Sequence, residues 1–121
     1  MAEVTRIPKP WGYELLWAHT ERYAGKLLVI EAGQRLSLQY HKEKEESIFV
    51  LEGVLRLHLA GDDGRLVEHD LHPHDTAHIP IGRLHRFEAV TRVVLVEASS
   101  PELDDVVRVE DDFGREGTSA P

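Results

Sequence analysis

The sequence predicts an all-β fold, a sandwich or barrel of short strands. Three observations predict it. Short runs of β-branched or alternating apolar residues recur about every 8–12 residues. Clusters of Gly, Pro and Asp separate them. No segment carries an apolar stripe of helical period over three turns, and the chain contains no internal repeat.

The elements follow in order. "KLLVIEAG" (Lys26–Gly33) is a β-branched apolar run that stops at a glycine. "SLQYH" (Ser37–His41) alternates and then breaks into a run of five charges, "KEKEE", of which Lys42 to Glu45 make a solvated turn before the chain re-enters the sheet at Glu46. "SIFVLEG" (Ser47–Gly53) is apolar again and stops at Glu52-Gly53. "VLRLHLA" (Val54–Ala60) alternates and reaches "GDDG", where Asp and Gly supply the positive-φ positions of a hairpin turn. "RLVEH" answers it across that turn. "DTAHIP", "HRFEAV" and "RVVLVEA" complete the set. The last residues, "GREGTSAP", are small and polar and read as frayed.

Four polar residues sit badly in such strands. Residues two apart share a face, so Gln39 and His41 project together. Glu46 shares a face with Ile48 and Val50, which makes it a carboxylate among apolar neighbours. His85 heads a strand just after the tight turn at Pro80 and Gly82. Burying such groups unpartnered costs a few kcal/mol, and a shared metal ion is one way to satisfy them. Gln, His, Glu and His form a mixed nitrogen and oxygen donor set. One divalent ion suits it, with Zn, Mn, Fe, Co and Ni all open.

Composition narrows the function. With 121 residues and 41% hydrophobic side chains, the chain makes one domain able to bury a core. There are no cysteines, which excludes disulfides and thiolate metal sites. A net charge of −8 disfavours nucleic acid. No apolar run approaches the roughly 20 residues of a membrane span. The N-terminus has no apolar stretch of the secretory type. The expectation is a cytoplasmic protein that binds neither nucleic acid nor membrane.

Two motifs carry a resemblance. The spacing Gly33-x5-Gln39-x-His41-x4-Glu46-x6-Gly53 is similar to the first cupin motif, and "PIGRLH" (Pro80–His85) to the second. The resemblance implies a small double-stranded β-helix, a jelly-roll barrel, with the metal inside. It extends further. "KPWGYE", "AGQRLSLQYH" and "DDVVRVEDDFGR" (Asp104–Arg115) resemble the C-terminal domain of type II mannose-6-phosphate isomerases over nearly the whole chain. In that family Gln replaces the first motif His, so the resemblance implies Gln39, His41, Glu46 and His85 as metal ligands. The chain departs from the family at Lys42-Glu43-Lys44, where the family has His-His-Arg, at Ser47-Ile48, where it has His-Trp, and at Ala89, where it has Asn. The pyrophosphorylase domain that usually precedes this module is not within these 121 residues.

The implied function is a metal-dependent sugar-phosphate isomerase of the mannose-6-phosphate and fructose-6-phosphate kind. The alternatives are a non-catalytic metal- and sugar-binding cupin and a metal-dependent oxygenase. Isomerisation moves a proton between C1 and C2, so a base is required; Lys44 and Glu97 are the candidates. Lys26, Arg35 and Arg86 are candidates for holding the phosphate, with at least two of Arg35, Lys44 and Arg86 expected on one cavity wall. His58, His69, His72, His74 and His78 match no motif and are read as ordinary surface or core histidines. Trp11 and Trp17 are read as packing groups. Val106, Val107 and Phe113 are expected to anchor the acidic C-terminal segment on the barrel. The domain is expected to span residues 1–115, with a disordered tail over 116–121. Open sheet edges in so small a barrel predict a homodimer.

Overall fold

A computed structural model describes residues 3–117. It contains eleven strands and, among the described residues, no helix: β1 Thr5–Lys9, β2 Gly12–His19, β3 Ala24–Ile30, β4 Leu38–Tyr40, β5 Glu46–Glu52, β6 Leu55–Ala60, β7 Leu66–Leu71, β8 Thr76–Ile79, β9 His85–Ala89, β10 Val93–Ser99 and β11 Val107–Glu110. They form two antiparallel sheets, ordered β1-β2-β3-β10-β5-β8 and β11-β4-β9-β6-β7. The neighbours β3 and β10, or β4 and β9, lie far apart in sequence. That order makes a jelly roll of two facing sheets, as expected.

Apolar residues from both sheets fill the space between them. Leu28, Ile30, Ile48, Val50, Val93 and Leu95 come from one side, and Leu55, Leu57, Phe87 and Ala89 from the other. Leu36 and Trp11 belong to the same core. The period-2 pattern places them there: Glu46, Ile48 and Val50 alternate with exposed or half-buried neighbours. Burying an isoleucine or leucine this fully is worth about 1.5–3 kcal/mol, so the apolar residues of β5 hold Glu46 inside against its own preference for water.

Several sequence expectations need correction. Strands β1 and β2 had no sequence signal, because Pro8 and Pro10 interrupt the run. Pro8 is tolerated because β1 is an edge strand with one unpaired side. Trp11 packs in the core, but Trp17 is 48% exposed and lies over Gly25. Val106 is buried as an anchor, whereas Phe113 is exposed with the Arg115 guanidinium over its ring. The C-terminus is not frayed from residue 114. Arg115 pairs with Asp111, and the Gly117 amide donates to Arg108 O. Residues 118–121 of the expected tail lie outside the described residues.

Candidate metal centre

Three elements bring the centre together. His41 follows β4, Glu46 opens β5, and His85 opens β9. All three are buried, at 3%, 2% and 1% exposure. Gly82 sets the turn before His85 with φ +78°, a value that favours glycine. Its amide also donates to His41 O at 2.8 Å, which ties the two histidine-bearing segments together.

The hydrogen bonds aim the donor atoms. His41 Nδ1 donates to Asp105 O at 2.5 Å, and His85 Nδ1 donates to Arg83 O at 2.8 Å. A carbonyl only accepts, so in the neutral ring the proton sits on Nδ1 and Nε2 presents a lone pair. The two Nε2 atoms lie 3.7 and 3.3 Å from Glu46 Oε1. All three atoms are buried and have no hydrogen-bond partner among the described residues. Three converging lone pairs repel one another unless a cation sits between them. Ligand atoms around one ion with bonds of about 2.1 Å lie roughly 3.0–3.4 Å apart; these three lie within 4.8 Å of one another. The donor set therefore fits a divalent metal ion. Gln39 pairs across strands with His85 and lines the same cavity as His41. Its Oε1 accepts from Ser37 Oγ at 2.6 Å, which leaves a second lone pair for the centre.

Lys44 corrects the reading of residues 42–45 as a solvated turn. It is buried, with Nζ 3.2 Å from Glu46 Oε2 and 3.7 Å from Glu97 Oε2. Burial alone would pull the lysine down, but the two carboxylates outweigh it and raise its pKa. Burial pushes Glu97 up, to about 8, and the adjacent Glu46 charge adds to the shift. Burial also opposes the Glu46 charge. The hydrogen bond from Glu97 and the Lys44 ammonium win, and Glu46 stays well below the usual carboxylate range. The arrangement is a carboxylate facing the centre with one oxygen and an ammonium with the other, with the Glu97 carboxyl group 3.7 Å from that ammonium.

A cavity opens beside the centre, walled by Gln39, His41, Lys44 and Glu97, with Lys26 and Glu14 across from them. Lys26 Nζ donates to Glu14 Oε1 at 3.1 Å. Of the trio Arg35, Lys44 and Arg86, only Lys44 lines this cavity. Arg35 is half exposed and grips Asp112 with two hydrogen bonds at 2.6 and 2.8 Å. Arg86 donates to Leu36 O at 2.9 Å. Both are used to hold the C-terminal segment and the β4 approach, so the expectation of two such cations at the cavity fails. The six histidines outside the motifs stay outside the centre; His19 meets Pro101 O, His58 pairs with Glu88 and His78 with Glu45. Reading the sequence missed Lys9, Asp105, Arg108 and Arg115 in the cavity wall. The available signal was that all four fall in "KPWGYE" and "DDVVRVEDDFGR", the two terminal segments that help carry the family resemblance.

Comparison with known proteins gives consistent results. The family described as "Mannose-6-phosphate isomerase C-terminal" matches residues 1–111. A mannose-1-phosphate guanylyltransferase, ManC of Salmonella typhimurium, is 34% identical over 115 residues, which is 90% of this chain and 23% of that protein. The chain thus spans about a quarter of that relative. Among solved structures, the capsular polysaccharide assembling protein CapF from Staphylococcus aureus aligns with a TM-score of 0.79 at 17% identity, over 91% of this chain and 32% of the other. An oxalate decarboxylase from Bacillus subtilis aligns with a TM-score of 0.79 at 16% identity, over 88% of this chain and 30% of the other. These two likenesses show the fold.

Proposed function

This chain belongs to the mannose-6-phosphate isomerase C-terminal family, with a cupin jelly-roll fold, and we propose that it is a metal-dependent sugar-phosphate isomerase of the mannose-6-phosphate and fructose-6-phosphate kind. The observation that carries the reading is the set of three buried, unpartnered donor atoms of His41, Glu46 and His85, gathered beside a cavity that His41 lines. His41, Glu46, His85 and Gln39 would hold the ion. Bound there, a divalent metal would supply Lewis acidity toward two neighbouring oxygens of the substrate.

The chain's own residues do the rest. Isomerisation removes a proton from C2 and returns one to C1, while the hydroxyl proton passes between O2 and O1. Glu97 is the carboxyl group placed to carry a proton, because it lies in the cavity wall and its environment keeps it near the neutral form. Lys44 is held as an ammonium between Glu46 and Glu97, so its role is charge compensation rather than proton abstraction. Lys26 faces the same space from β3.

The test is turnover. Protein loaded separately with Zn, Mn, Fe, Co or Ni is incubated with mannose 6-phosphate, and fructose 6-phosphate is measured. Turnover that vanishes in His41→Ala and Glu97→Gln supports the reading. Binding of the sugar phosphate with no turnover under any metal would replace it with a metal- and sugar-binding role.

A further inference from the structure

We propose that Lys9 and Arg108, backed by Lys26 and Arg115, form an anion subsite in the cavity that takes the phosphate of a small phosphomonoester and points its other end at the metal centre. This deepens the sugar-phosphate reading and rests on it for the identity of the rest of the ligand.

The placement begins with topology. β1 and β11 are edge strands of different sheets. Lys9 ends β1, two residues beyond half-buried Ile7 on the same face. Arg108 lies in β11 and is buried. It pairs across strands with Gln39, and Gln39 pairs with His85. Residues directly opposite in an antiparallel ladder share a face. Arg108, Gln39 and His85 therefore form one inward row, running from the edge of the barrel to the centre. Its ends are two strand spacings apart, about 10 Å, which suits a small extended ligand.

The charge points to an anion. The cavity wall carries five cationic side chains, Lys9, Lys26, Lys44, Arg108 and Arg115, against three carboxyl groups, Glu14, Glu97 and Asp105. The whole chain has the opposite sign, at −8. Lys26 and Lys44 are matched inside the protein by Glu14, Glu46 and Glu97, and Arg115 grips Asp111. Lys9 makes no ion pair among the described residues. Burial depresses its pKa, and Lys26, Arg108 and Arg115 depress it further, with Glu14 opposing. Burial and Arg115 act on Arg108 in the same direction, with Asp111 and Glu14 opposing. Cations gathered so that they repel one another are stabilised by an anion between them. A carboxylate brings one charge and two acceptor oxygens. A phosphomonoester brings about −1.5 to −2 at pH 7 and three acceptor oxygens, which matches several converging donors.

The test uses calorimetric titration of the metal-loaded protein with mannose 6-phosphate, mannose and inorganic phosphate. The proteins are the parent chain, Lys9→Gln, Arg108→Lys, Arg35→Gln and the surface control Arg92→Gln. Mannose 6-phosphate is expected to bind at least about tenfold more tightly than mannose, the worth of one charge-assisted contact. Lys9→Gln and Arg108→Lys are expected to erase that difference and to weaken inorganic phosphate by about tenfold. Metal content should stay unchanged in both. Arg35→Gln and Arg92→Gln should behave as the parent. Arg108 is buried, so the Lys9 variant, at an edge strand, carries the test if Arg108→Lys fails to fold. Phosphate affinity unchanged in Lys9→Gln, or lost in Arg35→Gln instead, overturns the subsite, as does no preference for mannose 6-phosphate over mannose. Lys9-dependent phosphate binding without turnover supports the subsite while the isomerase reading fails, so the two can be separated.

Discussion

Asp105 holds His41 with its backbone and the loop that follows His41 with its side chain. Its carbonyl accepts the His41 Nδ1 proton, and its carboxylate accepts the amides of Lys42, Glu43 and Lys44 at 3.0, 2.7 and 2.8 Å. Burial raises the Asp105 pKa, but those three amides outweigh it and lower it overall. One residue from the C-terminal segment thus sets a ring orientation at the metal centre and the path of the loop carrying Lys44.

Asp105→Ala should therefore act at a distance from the side chain it removes. Three amides lose their acceptor, and the loop from His41 to Lys44 loosens. The expected cost is about 1–3 kcal/mol of stability. Metal affinity should fall by about tenfold or more, as when the partners of metal ligands are removed. Thermal melts and metal titration measure both. Unchanged metal affinity would show that the backbone carbonyl alone positions His41.

Metal content tests the centre directly. His41→Ala and His85→Ala should each reduce bound metal from about one ion per chain to near zero, because each removes one of three strong donors. Glu46→Gln should do the same while leaving the ammonium of Lys44 without its closest carboxylate. Gln39→Ala should cost less, since an amide oxygen is a neutral donor. Full metal occupancy in both histidine variants sinks the assignment.

Asp111 makes stability depend on pH. Its carboxylate is fully buried and takes two hydrogen bonds from the Arg115 guanidinium, at 2.7 and 3.1 Å, and one from its amide. Burial raises its pKa, and Arg115 overcomes this and lowers it below the usual carboxylate range. A folded-state pKa depressed in this way adds stability above the unfolded value, near 3.9. That stability is lost as pH falls through the folded value. Asp111→Asn should cost about 1–3 kcal/mol at pH 7, and the gap from the parent should shrink toward pH 3. Denaturant midpoints across pH give the answer; a gap independent of pH contradicts it.

Two glycines separate strain from crowding. Gly53 has φ +83°, and an added Cβ would lie 2.0 Å from Arg92 O. Gly82 has φ +78°, and an added Cβ would meet nothing within 4 Å. Gly82→Ala should cost about 1–2 kcal/mol from backbone conformation alone. Gly53→Ala should cost clearly more, because the backbone must also move. Equal losses in denaturant melts would mean that the turn at Gly53 relaxes freely.

The strands from β3 to β10 were legible because each run is short, apolar or alternating, and bounded by turn residues. His41, Glu46 and His85 were legible for a related reason: a polar residue on an inward face stands out against Ile48 and Val50. Strands β1 and β2 were not legible, since Pro8 and Pro10 hide the alternation and only the edge position makes Pro8 acceptable. Lys44 was misread because a charged run normally marks water, and nothing local shows that Glu46 and Glu97 wait to receive it.

By itself the sequence determined an all-β chain, where most strands begin and end, and which side chains each strand turns inward. Those properties are local, since strand period and turn chemistry act over a few residues. The tertiary structure decided which inward residues meet. Arg108, Gln39 and His85 share a row only because β11, β4 and β9 are neighbours. His41 is oriented by a carbonyl 64 residues away. Arg35 and Arg86 are drawn away from the cavity to the C-terminal segment and the approach to β4, while Lys9 and Arg108 arrive in the cavity from opposite ends of the chain. Strand order sets these meetings, and strand order is the lowest-energy compromise of the whole core.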